Sequence, residues 1–261
     1  MVVIIQENSK FFPDFRLSKQ GQDEVIIFLH GLGGSKKDWQ KQIDFFKSNY
    51  CCVAIELKGH GDNKSAAPFD VENLALDVIK SINSLQIKSF HLVGFSLGGI
   101  VAFEIASRIP NSLKSLCIVN ALPEFKLSGF NQYWLFYSRL LLVKFCGLAF
   151  FAKILAKKLF PKKEQEILRV NLIAALKQAD KKTYLSILKS LNGWSVADKL
   201  HLIKCRSLFI SSEFDYLNFS LKKLFAWKIG AKIVQIKDAR HAVPIESPEE
   251  FNGVLKEFLD G

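Results

Sequence analysis

The order of strand-like and helical segments is the feature that most constrains the fold of this chain. Apolar runs of the kind buried on both faces of a sheet alternate with amphipathic segments, and such βα repeats predict a mostly parallel, doubly wound α/β sheet. The predicted strands are residues 1–7, 15–18, 24–29, 50–57, 89–94, 114–120, 207–210 and 232–236. The predicted helices between and after them are residues 37–47, 71–85, 97–108 and 248–259.

One long stretch breaks this alternation. Residues 123–192 contain helical segments and no strand pattern between them. A helical excursion inside an α/β sheet is most simply a lid above the carboxyl ends of the strands, here inserted after the sixth predicted strand. We therefore expect a core domain formed by residues 1–122 and 193–261 and a helical lid formed by residues 123–192.

The turn from a buried strand into a helix at residues 94–98 reads Gly-Phe-Ser-Leu-Gly, which is the G-x-S-x-G pattern of a nucleophile elbow. Glycines flank the serine because so tight a turn leaves no room for β-carbons at those positions. The turn directs the Ser96 hydroxyl above the sheet and places the amide of Leu97 at a helix N-terminus, where backbone donors favour an oxyanion. Ser96 is therefore the predicted nucleophile.

A serine hydroxyl needs a general base, and the chain offers five histidines. His30 and His60 lie in glycine-flanked turns, and His91 lies within a predicted strand. His201 follows the lid without an acidic or glycine-rich context. His241 lies in a loop after a strand, where a sheet of this kind presents residues toward its active edge, so His241 is the predicted base.

The acid that orients the base should follow another strand end and precede the histidine in the chain. Asp215 follows the strand at residues 207–210 and meets both conditions. Glu213, two residues earlier, remains an alternative. Asn120 ends the strand before the lid and cannot carry a negative charge.

The motifs HGLGG, GHG, GFSLGG, SSEFD and RHAVPIESP follow one another over most of the chain. In this order they resemble the α/β-hydrolase superfamily, in particular its small lidded serine esterases and thioesterases. The resemblance implies a catalytic triad of Ser96, Asp215 and His241 and an oxyanion hole formed by the amides of Leu32 and Leu97. It also implies a carboxylic ester or thioester hydrolase that acts through an acyl-enzyme.

Two positions depart from the motifs of that superfamily. Arg240 stands where a glycine often precedes the histidine, and Ser212 stands where glycine is common before the acid. The same triad and fold could also cleave a C–C bond, support cofactor-free haloperoxidase chemistry or transfer an acyl group to an acceptor other than water. A noncatalytic binding protein built on this fold is a further alternative.

The predicted lid is rich in aromatic residues, of which we expect some to pack the lid onto the sheet. The remainder should line an apolar acyl site, because small-molecule pockets usually have hydrophobic walls with a few polar groups. The candidate substrate-binding residues are Phe125, Phe130, Trp134 and Phe151. Such a pocket predicts a preference for acyl chains of short to medium length over acetate.

The net charge of +11 is unevenly distributed. Residues 122–200 contain 14 Lys and Arg against 5 Asp and Glu, whereas the rest of the chain contains 22 against 20. The basic predicted lid resembles that of the pimeloyl-acyl-carrier-protein methyl esterases, a resemblance that implies an acidic acyl carrier protein as partner. The candidate contacts are Lys153, Lys157, Lys158, Lys162 and Lys163. A small ester or thioester, an anionic membrane surface and a merely solvated face remain alternatives, and no nucleic-acid partner is expected.

The five cysteines are scattered without metal-binding spacing, which predicts reduced, buried thiols and neither a metal site nor a cofactor. The apolar region at residues 134–160 is interrupted by five basic residues, so no membrane span is expected. The first residues lack the features of a secretory signal, and we expect a cytoplasmic protein.

Overall fold

The computed structural model describes residues 15–17, 24–64, 66–127 and 129–261. A seven-stranded sheet runs through this part of the chain, in the order β1-β3-β2-β4-β5-β6-β7. Its strands are β1 (Phe15–Leu17), β2 (Val25–Leu29), β3 (Cys51–Ile55), β4 (Phe90–Phe95), β5 (Leu113–Val119), β6 (Arg206–Ser212) and β7 (Lys232–Ile236). The β1 strand is antiparallel to β3, and all other neighbours are parallel, which confirms the predicted α/β sheet. The strand predicted at residues 1–7 and Ser18 lie outside the described residues.

Helices cover both faces of the sheet, as a doubly wound fold requires. They are α1 (Gln40–Phe46), α2 (Val71–Ser84), α3 (Leu97–Arg108), α4 (Phe130–Leu159), α5 (Glu166–Gln178), α6 (Lys181–Leu191), α7 (Phe219–Lys228), α8 (Val243–Glu246) and α9 (Pro248–Asp260). On one face, Leu74 of α2 and Phe103 of α3 pack in one apolar cluster. On the other face, Phe46 of α1 and Phe251 of α9 pack in a second cluster.

Helices α4, α5 and α6 occupy the interval between β5 and β6, where the sequence predicts a lid. The α4 helix is kinked at Gly147, whose φ of +82° and ψ of 168° interrupt the helical geometry. Phe136 and Val143, before the kink, are buried in the same apolar cluster as α2 and α3. The division into a core domain and a separate lid at residues 123–192 stays a prediction.

The sequence predicts buried, reduced cysteines and no membrane-spanning helix. All five cysteines are unpaired; Cys52 and Cys117 are buried as predicted, whereas Cys146 is exposed on α4. The prediction of a buried thiol is wrong for Cys146, because α4 has apolar residues on its solvent side as well, and Cys51 and Cys205 are only half-buried. Within the described ranges, no helix is both long enough and apolar enough to cross a membrane.

Candidate active site

Ser96 lies at the turn between β4 and α3, and its backbone has a φ of +53° and a ψ of −115°. This strained conformation is the nucleophile elbow that the sequence motif predicts. The flanking glycines are required by space. A β-carbon on Gly98 would overlap the carbonyl oxygen of Leu29, and one on Gly94 would overlap the carbonyl oxygen of Gly98.

A chain of hydrogen bonds connects Ser96 to the loops after β6 and β7. The Ser96 Oγ lies 2.9 Å from Nε2 of His241. The other ring nitrogen of His241, Nδ1, lies 2.6 Å from Oδ1 of Asp215. With Nδ1 protonated and donating to the carboxylate, Nε2 is free to accept the serine proton. The structure therefore brings together the three side chains of the predicted triad.

The other histidines are held elsewhere. His30 accepts a hydrogen bond from the amide of Leu57 at Nε2 and donates to the carbonyl of Gly31, and burial lowers its pKa to about 3. His60 is also buried, which lowers its pKa to about 4. His91 contacts Ser115 within the sheet, and His201 is exposed. Neutral buried imidazoles suit the loop-shaping role predicted for the first two.

Glu213, the alternative acid, is exposed and accepts a hydrogen bond from the amide of Asp238. Asp215 instead is buried between His241 and Lys222, with side-chain exposures of 1% for both Asp215 and Lys222. Burial raises the pKa of Asp215, but the nearby His241 and Lys222 outweigh this effect and hold the pKa below its ordinary value. Asp215 is therefore the carboxylate that remains ionised beside the imidazole.

The buried ammonium group of Lys222 contacts the carboxylate oxygen of Asp215 that His241 leaves free. The Nζ of Lys222 contacts Asp215 Oδ2 and donates to Asn120 Oδ1 at 2.8 Å and to Ser211 Oγ at 2.9 Å. The side-chain nitrogen Nδ2 of Asn120 in turn donates to the backbone carbonyl of His241 at 2.8 Å. These bonds tie the ends of β5 and β6 to the histidine loop and fix the acid and base relative to each other.

Tyr216 adds an aromatic side chain to the site. Its hydroxyl lies 2.8 Å from Nε2 of His241, and the two ring centroids are 4.1 Å apart. Although Tyr216 is 48% exposed as a whole, desolvation of its hydroxyl raises the pKa of the phenol, which stays protonated at neutral pH. The Tyr216 hydroxyl thus shares the imidazole nitrogen with Ser96.

Two backbone amides near Ser96 have no acceptor among the described residues. Leu97 begins α3 and is 1% exposed, and its N–H lacks an intrahelical partner. The N–H of Leu32 is also unbonded within this part of the chain. The turn that contains Leu32 packs closely against the elbow, since a β-carbon placed on the neighbouring Gly31 would lie 3.4 Å from Cβ of Ser96. Two free donors beside a serine hydroxyl suit a developing oxyanion.

A cleft of about 1800 Å³ opens above Ser96 and is bounded by α4, α5 and α6. Of the predicted substrate-binding residues, Phe125 lines this cleft. The structure differs for the other three: Phe130 and Trp134 are 79% and 63% exposed, and Phe151 is buried against Tyr184. The reason is helical phase, because residues 130 and 134 lie on the outer face of α4. The residues of α4, α5 and α6 that line the cleft include Leu135, Phe136, Arg139, Leu155, Leu172 and Leu188.

The comparison with known families decides the classification. The sequence profile of the alpha/beta hydrolase family matches residues 26–254. The chain belongs to this family. The predicted α/β-hydrolase resemblance and the prediction of a hydrolase are thereby confirmed, and the matched range includes both the elbow and the loop of His241.

Individual proteins resemble this alpha/beta hydrolase over most of their length. The 3-oxoadipate enol-lactonase 2 of Acinetobacter baylyi is 26% identical, covering 92% of this chain and 91% of that protein. The putative carbamate hydrolase RutD of Rhizobium rhizogenes is 25% identical, covering 90% of this chain and 92% of the relative. The crystal structure of the enol-lactonase from Burkholderia xenovorans LB400 has a TM-score of 0.85 at 20% identity, covering 95% and 96% of the two chains. That structural likeness shows the shared fold.

Sequence reasoning missed three residues of this alpha/beta hydrolase site: Lys222, Tyr216 and Asn120 as a bonding partner. Tyr216 directly follows the predicted acid at a strand end, and that position could have indicated a residue of the site. Lys222 stands beside a second lysine in a basic helix, and nothing in the sequence separates the buried lysine from the exposed one. Within the described residues, no cluster of side chains that could hold a metal ion occurs.

Proposed function

We propose that this alpha/beta hydrolase is a serine hydrolase that cleaves carboxylic esters or thioesters through an acyl-enzyme on Ser96. The observation that carries the proposal is the hydrogen-bonded series Ser96, His241 and Asp215 at the floor of a cleft, beside the unbonded amides of Leu32 and Leu97. A nucleophile, a base oriented by an acid, and oxyanion donors are the groups that acyl transfer requires.

The first half of the reaction forms the acyl-enzyme. The Ser96 oxygen attacks the substrate carbonyl carbon while its proton moves to Nε2 of His241. Asp215 stabilises the imidazolium that results, and the amides of Leu32 and Leu97 donate to the oxyanion. The bond from the carbonyl carbon to the leaving group then breaks, and the leaving alkoxide or thiolate takes the proton from Nε2.

The second half releases the acid. A water molecule gives a proton to Nε2 of His241 and attacks the acyl carbon, which regenerates a tetrahedral oxyanion at the same two amides. The bond to the Ser96 oxygen then breaks, and Nε2 returns the proton to that oxygen. The enzyme returns to its starting state with the free carboxylic acid as product, and no cofactor enters either half of this proposed reaction.

The test is steady-state hydrolysis of 4-nitrophenyl butyrate by the purified protein. Ser96→Ala and His241→Ala should each lower kcat by at least roughly 10³-fold, since each removes a group that acts in both half-reactions. Ser107→Ala, a buried serine on the same α3 helix, and His201→Ala, an exposed histidine, are the matched controls and should keep wild-type rates.

Covalent labelling locates the nucleophile independently of turnover. A fluorophosphonate should add one mass increment to the wild-type protein, and fragmentation should place it on Ser96. The Ser96→Ala protein should remain unlabelled. Wild-type turnover in Ser96→Ala, or a label on another residue, contradicts the proposal.

An acidic acyl carrier protein remains a proposed partner of the lid. Lys153, Lys157, Lys158 and Lys163 are exposed, whereas Lys162 is paired with Asp238 and offers less free charge. A carrier-bound ester should show a higher kcat/KM than the same acyl group on a small alcohol, and the advantage should disappear at high salt and in Lys157→Glu/Lys158→Glu. Equal rates under all conditions would remove the carrier proposal. The cytoplasmic location stays a prediction.

A further inference from the structure

Arg139 is a charged residue on the inner face of the lid helix α4. Phe136, three residues before it, and Val143, four residues after it, are both buried in the apolar core. Residues at this spacing share one face of a helix, so Arg139 points the same way. Its side chain lines the cleft above Ser96. A cation among apolar side chains is costly unless it has a partner.

The partners that the protein itself gives Arg139 are neutral. Its Nε donates to the hydroxyl of Tyr184 at 3.0 Å, and Nη2 donates to the same oxygen. The guanidinium also lies over the rings of Phe151 and Tyr184, at 5.2 and 5.4 Å. Burial raises the pKa of Tyr184, so this hydroxyl remains uncharged at neutral pH.

No carboxylate of the described residues forms an ion pair with Arg139, and Nη1 has no hydrogen-bond partner among them. Arg108 and Arg169 differ, because each is paired with a glutamate. Arg139 is thus an arginine at the wall of a cleft with its charge uncompensated and part of its donor fork unused.

The position of Arg139 relates this charge to the reacting groups. The positive charge of Arg139 acts on the pKa of Tyr216, where it opposes the rise caused by burial, and the Tyr216 hydroxyl is 2.8 Å from Nε2 of His241. Tyr216, His241 and Arg139 line the same cleft. A molecule that fills the cleft from Ser96 toward the lid therefore meets the guanidinium.

We infer that Arg139 binds a carboxylate group of the substrate, so that the ester cleaved at Ser96 carries a second, ionised carboxyl group away from the scissile bond. The inference rests on the proposed serine hydrolase function. The planar guanidinium matches a carboxylate through two parallel hydrogen bonds, and the apolar surroundings strengthen the pairing. The substrate class is a half-ester or lactone acid, and a fully neutral ester lacks the matching group.

Two esters that differ in one group test this inference. Mono-(4-nitrophenyl) glutarate and 4-nitrophenyl pentanoate have the same leaving group and acyl chain length, and they differ in a terminal carboxylate against a methyl group. In the wild-type protein, kcat/KM for the glutarate ester should exceed that for the pentanoate ester. In Arg139→Met, the ratio of the two kcat/KM values should fall by roughly 10- to 100-fold, as expected for the loss of a charged hydrogen bond. Arg139→Lys keeps the charge without the fork and should lose less.

The matched control is Lys144→Met, an exposed cation on the same helix. It should keep the wild-type ratio, which separates a specific carboxylate contact from the general charge of the lid. Because the comparison uses the ratio for two substrates of one protein, a partly unfolded preparation of Arg139→Met lowers both rates and leaves the ratio informative.

The outcomes distinguish this inference from the proposed function. A wild-type protein that hydrolyses the pentanoate ester through Ser96 without favouring the glutarate ester overturns the carboxylate site and leaves the serine hydrolase intact. If neither ester is hydrolysed, the proposed function fails, and calorimetry with glutarate decides the site separately. Binding of glutarate to wild-type protein that is lost in Arg139→Met supports the site, and equal or absent binding overturns it.

Discussion

Replacing Lys222 by methionine tests how the carboxylate of Asp215 is held in the site. The two side chains are 1% exposed, and Lys222 is the partner of the carboxylate on the side away from His241. Methionine keeps a similar length and apolar stem without the charge. The variant therefore leaves a buried carboxylate whose remaining described partner is the imidazole.

Breaking a buried ion pair from one side costs about 3–5 kcal/mol, because the remaining charge stays buried without its counter-ion. Asn120 also loses the hydrogen bond from Lys222, but its Oδ1 still accepts one from the backbone amide of Ser212 at 3.0 Å. For a chain of this size, such a loss corresponds to a fall in Tm of roughly 6–20 °C. The free energy of unfolding of Lys222→Met should therefore be clearly lower than that of the wild-type protein.

The stability difference between Lys222→Met and the wild-type protein should depend on pH. The pKa of Asp215 is lowered in the folded protein, so its pairing stabilises the fold fully above the ordinary carboxyl pKa of about 4 and progressively less as the pH falls through the folded value. Without Lys222 the pKa of Asp215 is lowered less, so acidification reduces the free energy of unfolding of the variant less than that of the wild-type protein. The difference between the two proteins should be largest at pH 7 and should shrink below about pH 4.

Urea unfolding at pH 7 and pH 3.5 measures both effects. The control is Lys223→Met, the neighbouring exposed lysine of α7, which should change stability by less than about 0.5 kcal/mol. In the double variant Lys222→Met/Asp215→Asn, the loss should be smaller than the sum of the single losses, because the second change removes the stranded charge. Equal stability of Lys222→Met and Lys223→Met at pH 7 would refute the reasoning.

Three further predictions follow from the elbow, the acid and the cleft. Asp215→Asn should lower kcat by about 10⁴-fold through the wrong imidazole tautomer, whereas Glu213→Gln should stay near wild type; the reverse result in the butyrate assay would transfer the acid role to Glu213. Gly98→Ala should yield little folded protein or an inactive one by circular dichroism and assay, because its β-carbon overlaps the Leu29 carbonyl oxygen, and normal activity would contradict this. Among neutral 4-nitrophenyl esters, kcat/KM should rise from acetyl to hexanoyl because Phe125 and Phe136 line the cleft, and a flat or falling series counts against an apolar acyl site.

The fold could be predicted because buried parallel strands have a distinctive pattern. Strands β2 and β4 lie at the centre of the sheet and read as unbroken apolar runs between amphipathic helices. The elbow could be predicted because a strained strand-to-helix turn requires glycine beside the serine. His241 and Asp215 could be proposed because both follow strand ends, and the carboxyl ends of parallel strands meet at one edge of a sheet.

The cleft-facing residues of α4 could not be predicted from the sequence. The α4 helix has apolar residues on both faces: Phe136 and Val143 are buried, whereas Trp134 and Phe145 are 63% and 74% exposed. A helix that is apolar all round gives no hydrophobic phase from which to predict its inner face. The sequence therefore does not separate Arg139 from the other basic residues between 122 and 200, although its neighbours in the structure are the rings of Phe151 and Tyr184.

Gly147 and the glycines of the elbow are required for different reasons. A β-carbon on Gly98 would collide with the main chain, whereas one on Gly147 would meet no described atom within 4 Å. The constraint at Gly147 is torsional, since a φ of +82° with a ψ of 168° is a region that only glycine adopts readily. A side chain there would favour helical torsions and straighten α4, which would move Leu155 and Leu159, the cleft-lining residues after the kink, relative to Ser96. A single substitution at Gly147 would therefore change the wall of the cleft without replacing any residue of the hydrogen-bonded series Ser96, His241 and Asp215.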